Sequence, residues 1–291
     1  DLWCGFHSIT YGFQYSMIKC IDMKNLSIGE LLAEGRTAEV YAVNEDQVIK
    51  LFYEWCPASW IQQEIDVAGE ISSLPLPTPK IIDSMKFNGR QGIIYERVYG
   101  SSMLNASVSK PWLVFRYARQ LADLQNEIHK YRGIRLASQR TSLTKTIKQI
   151  KDLPQEIKNQ TLSLFETLPD GDSLCHLDIH PDQVIITDKG PVIIDWLTAK
   201  LGHPHSDVAR TCVILKFGQL SYGGWVMRTI ANIFRSVFYR VYLSRYLELN
   251  PNATRNVITK WMIPVAIGRL DEDVPGEREP ILRFVRAYFS K

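Results

Sequence analysis

The sequence predicts an α+β fold in two lobes: a small antiparallel sheet carrying one helix, then a larger, mostly helical lobe. Three observations point there. Residues 27–98 are rich in short β-branched and aromatic runs broken by turn residues. After "YGSSM" (99–103) the apolar spacing changes to that of helices. A polar stretch, "CHLDIHPDQVIIT" (175–187), with "PVIIDW" (191–196) just behind it, then sets two short strands among those helices. The chain has 291 residues, 45% hydrophobic and 22% charged, enough for a sizeable core in one large domain or two lobes.

Taken in order, residues 1–26 read as an N-terminal extension. "DLWCGFHSITYGFQYS" is aromatic but has neither the basic start nor the continuous apolar run of a secretory signal. In the first lobe, 27–98, "EVYAV" and "QVIKLF" flank the turn "NED", and "GIIYERV" is a further strand. Between them "SWIQQEIDVAGEI" places Trp60, Ile61, Ile65, Ala68 and Ile71 at helical spacing, and "LPLPTP" ends the helix. The second lobe, 99–291, opens with a helix started by Pro111, with Leu113, Tyr117, Leu121, Leu124 and Ile128 as its stripe and Gly133 as its stop. Amphipathic stretches follow at 143–153 and 155–168. The most apolar later run, Trp225 to Leu243, is interrupted by Arg228, Arg235 and Arg240, which suits a core helix with a basic stripe better than a membrane span.

Charge and cysteines narrow the function classes. The net charge is +3 with no basic block, so neither nucleic acid nor an anionic membrane is signalled as a partner. The five cysteines are widely spaced and form no C-x-x-C pair, which fits a reducing cytoplasm and argues against a disulfide framework or zinc ribbon. Cys175 adjoins His176, but neighbours on an extended segment face opposite ways, and Cys175 reads as a small buried hydrophobe.

The polar stretch admits three readings. His176, Asp178, His180, Asp182, His203 and His205 are all ligand types for Zn²⁺ or Fe²⁺, as in a metal-dependent hydrolase. A polar turn between buried strands is the plainest. The third rests on spacing. His176, Asp178 and Gln183 stand at offsets zero, two and seven, as in the kinase catalytic loop H-R-D-L-x-x-x-N, and Asp195 ends a hydrophobic strand about a dozen residues on, where kinases keep a metal-binding Asp. "AEGRTAEV" puts Ala33, Gly35, Ala38 and Val40 where a kinase glycine loop has G-x-G-x-x-G-x-V. Ten residues later comes Lys50, with Glu64 on the next helix to pair with it.

These motifs together resemble the aminoglycoside phosphotransferase and choline kinase-type branch of the protein-kinase-like fold, where "HGDLHPGN" and "IDW" replace "HRDLKPEN" and "DFG". The match runs in order through "LLAEGRTAEVYAV", "KLF", "YERVYGSSM", "CHLDIHPDQVIITDKGPVIIDW" and "DVAR", over residues 31 to about 215; the helical remainder resembles bacterial members more weakly. The resemblance implies ATP or GTP as phosphoryl donor, Mg²⁺, and a small-molecule hydroxyl acceptor. It implies that Asp178 accepts or orients the hydroxyl, that Asp195 and Gln183 hold Mg²⁺, and that Gly35 and Lys50, fixed by Glu64, serve the phosphates. The backbone near Glu96 and Val98 would bond the adenine. His176, His180 and Asp207 would support the loop. Gln183 departs from the family's Asn by one methylene, which keeps a nucleotide-binding scaffold as the alternative to an enzyme. The acidic run "LDEDVPGERE" (270–279) reads as a solvated loop and helix start.

Overall fold

A computed structural model of the protein describes residues 28–218 and 225–290, the side chains of 226–228 excepted. The proposed extension, 1–26, lies outside the described residues. The first lobe contains β1 (Leu31–Glu34), β2 (Ala38–Ala42), β3 (Gln47–Phe52), α1 (Ala58–Ser72), β4 (Ile81–Phe87) and β5 (Arg90–Glu96). Its strands form one antiparallel sheet in the order β1-β2-β3-β5-β4. Between β4 and β5, Asn88 and Gly89 both take positive φ, 47° and 82°, the tight hairpin turn that Asn-Gly favours. The sheet is lined on its two sides by separate small cores, one around Phe52 and Ile61 and the other around Ile49 and Ile94.

The sequence's helical stripe for α1 is rotated in the structure. Ile61, Glu64, Val67 and Ile71 are buried, whereas Trp60 is 46% exposed. The difference matters because the buried stripe contains a carboxylate, and that carboxylate faces β3.

The second lobe contains β6 (Ser101–Ser102), α2 (Met103–Ser109), α3 (Val114–Ile128), α4 (Gln139–Gln149), α5 (Gln155–Thr167), β7 (Ser173–Cys175), β8 (Val184–Thr187), β9 (Gly190–Ile193), β10 (Lys200–Gly202), α6 (Pro204–Phe217), α7 (Trp225–Leu249), α8 (Arg255–Arg269) and α9 (Arg278–Phe289). Pro111 opens a short turn ahead of α3 rather than the helix itself, and α3 ends at Ile128, before Gly133 with its φ of 69°. The stripe Tyr117, Leu121 and Ile128 is buried, as its spacing requires. Ser138 starts α4 by accepting from the Thr141 N–H at 3.3 Å.

A single large core runs through this lobe, and α6 and α8 lie at its centre. Expected as a core helix throughout, α7 buries only its second half. Phe238, Tyr242 and Tyr246 are enclosed, but Trp225 is 80% exposed and Ile230 and Ile233 stand open. No helix among the described residues is long and apolar enough to cross a membrane. Two small sheets, β10-β7 and β6-β8-β9, hold the polar segment 176–183 between them.

Candidate active site

The loop from His176 to Gln183 owes its shape to a buried carboxylate. Leu177 takes φ +60°, a conformation unfavourable for a side chain with a Cβ. Asp207, fully buried on α6, compensates by accepting from the Leu177 N–H at 2.6 Å and the His176 N–H at 3.2 Å. Its Oδ2 also meets His129 Nε2 at 2.9 Å. Burial alone would raise the Asp207 pKa, but the hydrogen bond and charge of His129 outweigh it, and the carboxyl is held below its ordinary value.

His176 ties this loop to the strand that delivers Asp195. Its Nε2 lies 3.1 Å from the Ile194 carbonyl, which can only accept, while its Nδ1 receives the Asp178 N–H at 3.3 Å. Both bonds are satisfied together by the neutral ring carrying its proton on Nε2. The neighbouring Asp195 has φ +60°, tolerated because a short polar side chain can visit that region.

The first lobe contributes a cation. On β3, Lys50 reaches both Glu64 oxygens, at 2.8 and 2.9 Å, and Asp195 Oδ1 at 3.2 Å. Tyr95 on β5 donates to the same Glu64 at 2.9 Å. Desolvation would lower the Lys50 pKa, yet Asp195 and Glu64 reverse this and raise it; Asp195 is correspondingly lowered by Lys50 in spite of its own desolvation. The Lys50 ammonium and the Asp195 carboxylate are therefore an ion pair spanning the two lobes.

Gln183 lies beside Asp195, its Nε2 3.5 Å from Asp195 Oδ2. A carboxylate and a side-chain amide exposed to the cleft are a hard-oxygen donor set, which fits Mg²⁺. Gly35 forms the turn between β1 and β2, donating to the Ala38 carbonyl at 2.9 Å. At the end of β5 the Glu96 N–H is committed to the Lys80 carbonyl and the Arg97 N–H to Asp46, at 2.9 and 2.8 Å; the Val98 N–H has no partner among the described residues. Glu96 therefore cannot donate from its own N–H without leaving the sheet.

His180 is tied into its own loop. Its Nδ1 caps the short turn Pro181–Gln183 by accepting from the Asp182 N–H at 3.3 Å. Burial lowers its pKa despite Asp178 and Asp182 nearby, so the ring is neutral near pH 7.

The six candidate metal ligands do not converge. His203 caps α6 and stacks on Trp261 at 5.1 Å, and among the described residues the only close trio of ligand types is His129, Cys175 and Asp207. In that trio Asp207 already serves the loop, and burial pushes the Cys175 thiol well up, keeping it protonated. Cys175 is the small buried residue its sequence context suggested.

Three groups at the site escaped sequence reasoning. His129, one residue past the end of α3, supports Asp207. Arg210, on α6, contacts Asp178 Oδ1 at 3.1 Å and Glu272 Oε1 at 2.5 Å. Glu272 belongs to the acidic run read as solvated; in the structure it braces Arg210 and Arg269, and the nearby Glu277 is buried against Arg269. The only advance signal was the i, i+3 spacing of Asp207 and Arg210 in "DVAR", which puts both on one helix face.

An antiparallel sheet with a Lys–Glu pair, facing a helical lobe whose loop and strand end carry two aspartates, defines a protein-kinase-like fold. The chain belongs to the phosphotransferase enzyme family, whose model matches residues 29–232. No curated protein sequence matches the chain. Among solved structures, aminoglycoside-3'-phosphotransferase of type VIII shares 17% identity, covering 82% of this chain and 91% of that one, with a TM-score of 0.57. The ADP-bound aminoglycoside phosphotransferase APH(2'')-Ib is 16% identical over 91% of this chain and 93% of its own, with a TM-score of 0.56. Choline kinase from Cryptosporidium parvum Iowa II is 13% identical over 94% and 90%, with a TM-score of 0.53. At these identities the likeness establishes the shared two-lobed fold.

Proposed function

We propose that the chain is an ATP- or GTP-dependent phosphotransferase that moves the γ-phosphate to a hydroxyl of a small molecule, such as an aminoglycoside-like compound or an amino alcohol. The observation that carries this reading is the meeting of Lys50 of the first lobe, paired to Glu64, with Asp195 of the second, whose segment His176 ties to the loop of Asp178. Relatives of similar fold have been solved with ATP and streptomycin, with ADP and with GDP, which supports a nucleotide as donor. The boundary between nucleotide lobe and acceptor lobe is placed at about residue 98, after β5.

In this reading Lys50 holds the α- and β-phosphates, Gly35 lets the turn backbone approach them, and the Val98 N–H receives the base. Asp195 and Gln183 would hold Mg²⁺, which when bound neutralises charge on the β- and γ-phosphates. Asp178 orients the acceptor hydroxyl. As the hydroxyl oxygen bonds to the γ-phosphorus, the bond to the β–γ bridging oxygen breaks, its electron pair leaves with the nucleoside diphosphate, and the hydroxyl proton passes to the Asp178 carboxylate. His176, His180 and Asp207 keep the loop in shape.

A small acceptor suits the site better than a protein. Only eight residues separate Asp195 from α6, and three of them form β10, so little chain is left to dock a polypeptide. Cytoplasmic residence accords with Cys56, Cys175 and Cys212 as free buried thiols. Neither a nucleic acid nor a membrane is needed as partner. The test is nucleoside diphosphate release in a panel of aminoglycosides, amino alcohols and sugars, with Asp178→Ala as control. Acceptor-dependent release lost in the variant is expected; calorimetric nucleotide binding with silence across the panel would make the chain a nucleotide-binding scaffold.

A further inference from the structure

Asp178 is gripped by a side chain from outside its own loop. Arg210 Nη2 lies 3.1 Å from Asp178 Oδ1, and Arg210 Nε donates to the Leu177 carbonyl at 3.0 Å. One planar guanidinium thus fixes both the Asp178 side chain and the backbone just before it, where Leu177 has its positive φ. The same Nη2 bonds Glu272 Oε1 at 2.5 Å, and Glu272 Oε2 takes Arg269 Nη1 at 3.1 Å. Arg269 is in turn held by the buried Glu277. Charges alternate along this chain from Asp178 to Glu277. Above it, Arg36 at the turn between β1 and β2 places Nη1 3.5 Å from the Glu272 carbonyl, so the turn after α8 sits under the first lobe's phosphate-side loop.

We infer that Arg210 is a positioning residue for phosphoryl transfer, locking the rotamer of Asp178, and that Glu272 sets how much of the Asp178 charge the guanidinium cancels. The inference rests on the phosphotransferase reading above. An arginine facing Asp178 alone would form a neutral pair and compete with the acceptor hydroxyl for the carboxylate. Two carboxylates sharing one guanidinium keep a net negative charge, and Oδ1 is restrained while Oδ2 is left for the hydroxyl. With Arg210 only 10% and Asp178 26% exposed, water screens these contacts weakly. Burial pushes the Arg210 pKa down, but Glu272 and Asp178 outweigh it and raise it, so the fork stays charged.

A purely structural ion pair would behave differently from a positioning one, and Arg210→Met, Arg210→Lys and Glu272→Gln separate the two in the full chain. Arg210→Met should lower kcat by roughly 10²-fold, the scale on which a misoriented catalytic group acts, with the nucleotide Kd unchanged within about twofold. Arg210→Lys restores charge but not the fork and should recover less than about a tenth of the lost kcat. Glu272→Gln should cost about 10-fold, and Arg210→Met combined with it should be no slower than Arg210→Met alone, since Glu272 acts through Arg210. Equal kcat in Arg210→Met and the parent, full rescue by lysine, or additive losses in the double variant would overturn the inference. Hydrogen exchange of the segment 174–180 keeps it apart from the phosphotransferase reading: Arg210→Met must deprotect those amides even if no acceptor is ever phosphorylated, and unchanged protection refutes the grip on the loop.

Discussion

Two cations, Lys50 and Arg210, each sit between two carboxylates at the cleft, and they are built for opposite purposes. Lys50 joins Glu64 to Asp195; Arg210 joins Glu272 to Asp178. The lysine is a point charge on a flexible stem, bound to a buried Glu64 at one side and to a more exposed Asp195 at the other, so its ammonium can exchange Asp195 for a phosphate oxygen without leaving Glu64. The arginine has a third, backbone bond to Leu177, which makes it a brace. On the proposed phosphotransferase reading, the lysine trades partners when a phosphate arrives and the arginine keeps its own.

The largest expected loss is at Asp178, the carboxylate that Arg210 holds. Asp178→Ala should reduce kcat by roughly 10³-fold while nucleotide affinity stays close to that of the parent. Single-turnover kinetics beside calorimetry checks this, and a parallel loss of nucleotide binding would move Asp178 to the phosphate side of the site.

Next in size is the foundation shared by both halves of the cleft. Asp207→Asn removes the charge that holds the His176 and Leu177 amides and faces His129, and should destabilise the chain by about 3 kcal/mol in denaturant titration. Its pH signature has a definite sign. Because the folded-state pKa is lowered, the Asp207 contribution is fully present above the ordinary value of about 3.9 and disappears as pH falls through the folded value. The parent should therefore lose stability on acidification more steeply than the Asn variant, and identical acid limbs would show that Asp207 gains nothing from its charge.

Lys50→Ala tests the mobile cation. It should raise the KM for the nucleotide by about 10–100-fold, as expected when a charged phosphate loses one strong donor, with a smaller change in kcat. Glu64→Gln should do less, since the amide can still accept from Lys50. A Lys50 variant that loses kcat but keeps KM would show that the lysine, like the arginine, acts on geometry.

The two halves also differ in how far they could be read from the chain. The Lys50 side was legible: Lys50 and Glu64 lie on a strand and a helix whose period shows, Gly35 falls in the turn before β2 and Asp195 just past β9, and Lys50 meets both carboxylates. His176, Asp178 and Gln183 were legible as a spaced motif. Arg210, Glu272 and His129 were not, because each matters through a contact across 32, 62 or 78 positions of sequence, and the local spacing of Asp207 and Arg210 shows a shared helix face but not what that face meets. In the acidic run 270–279 the solvated reading holds for Asp271, Asp273 and Glu279, and a helix does start at Arg278, but the reading missed Glu272 and Glu277, which α8 and α6 engage through Arg269 and Arg210. The stripe on α1 failed for a smaller reason: Trp60 is apolar enough to imply burial, but Glu64 took the buried position because Lys50 and Tyr95 satisfy it there.

The smallest expected effect concerns Gln183, which lies where the mobile and fixed halves meet. Its backbone accepts from the Ile194 N–H at 3.0 Å, so the amide is anchored to the Asp195 strand whichever residue carries it. What the extra methylene changes is side-chain freedom. A glutamine must immobilise one more rotor than an asparagine to present its oxygen, a cost of about 0.5 kcal/mol or somewhat more. Gln183→Asn should accordingly lower the Mg²⁺ concentration that half-saturates nucleotide binding by about two- to fivefold, read by calorimetry at fixed nucleotide, while the Kd at saturating Mg²⁺ stays level. If the asparagine weakens binding, the longer side chain is fitted to this site. If it changes nothing, Asp195 alone supports the metal and Gln183 serves only to hold the strand.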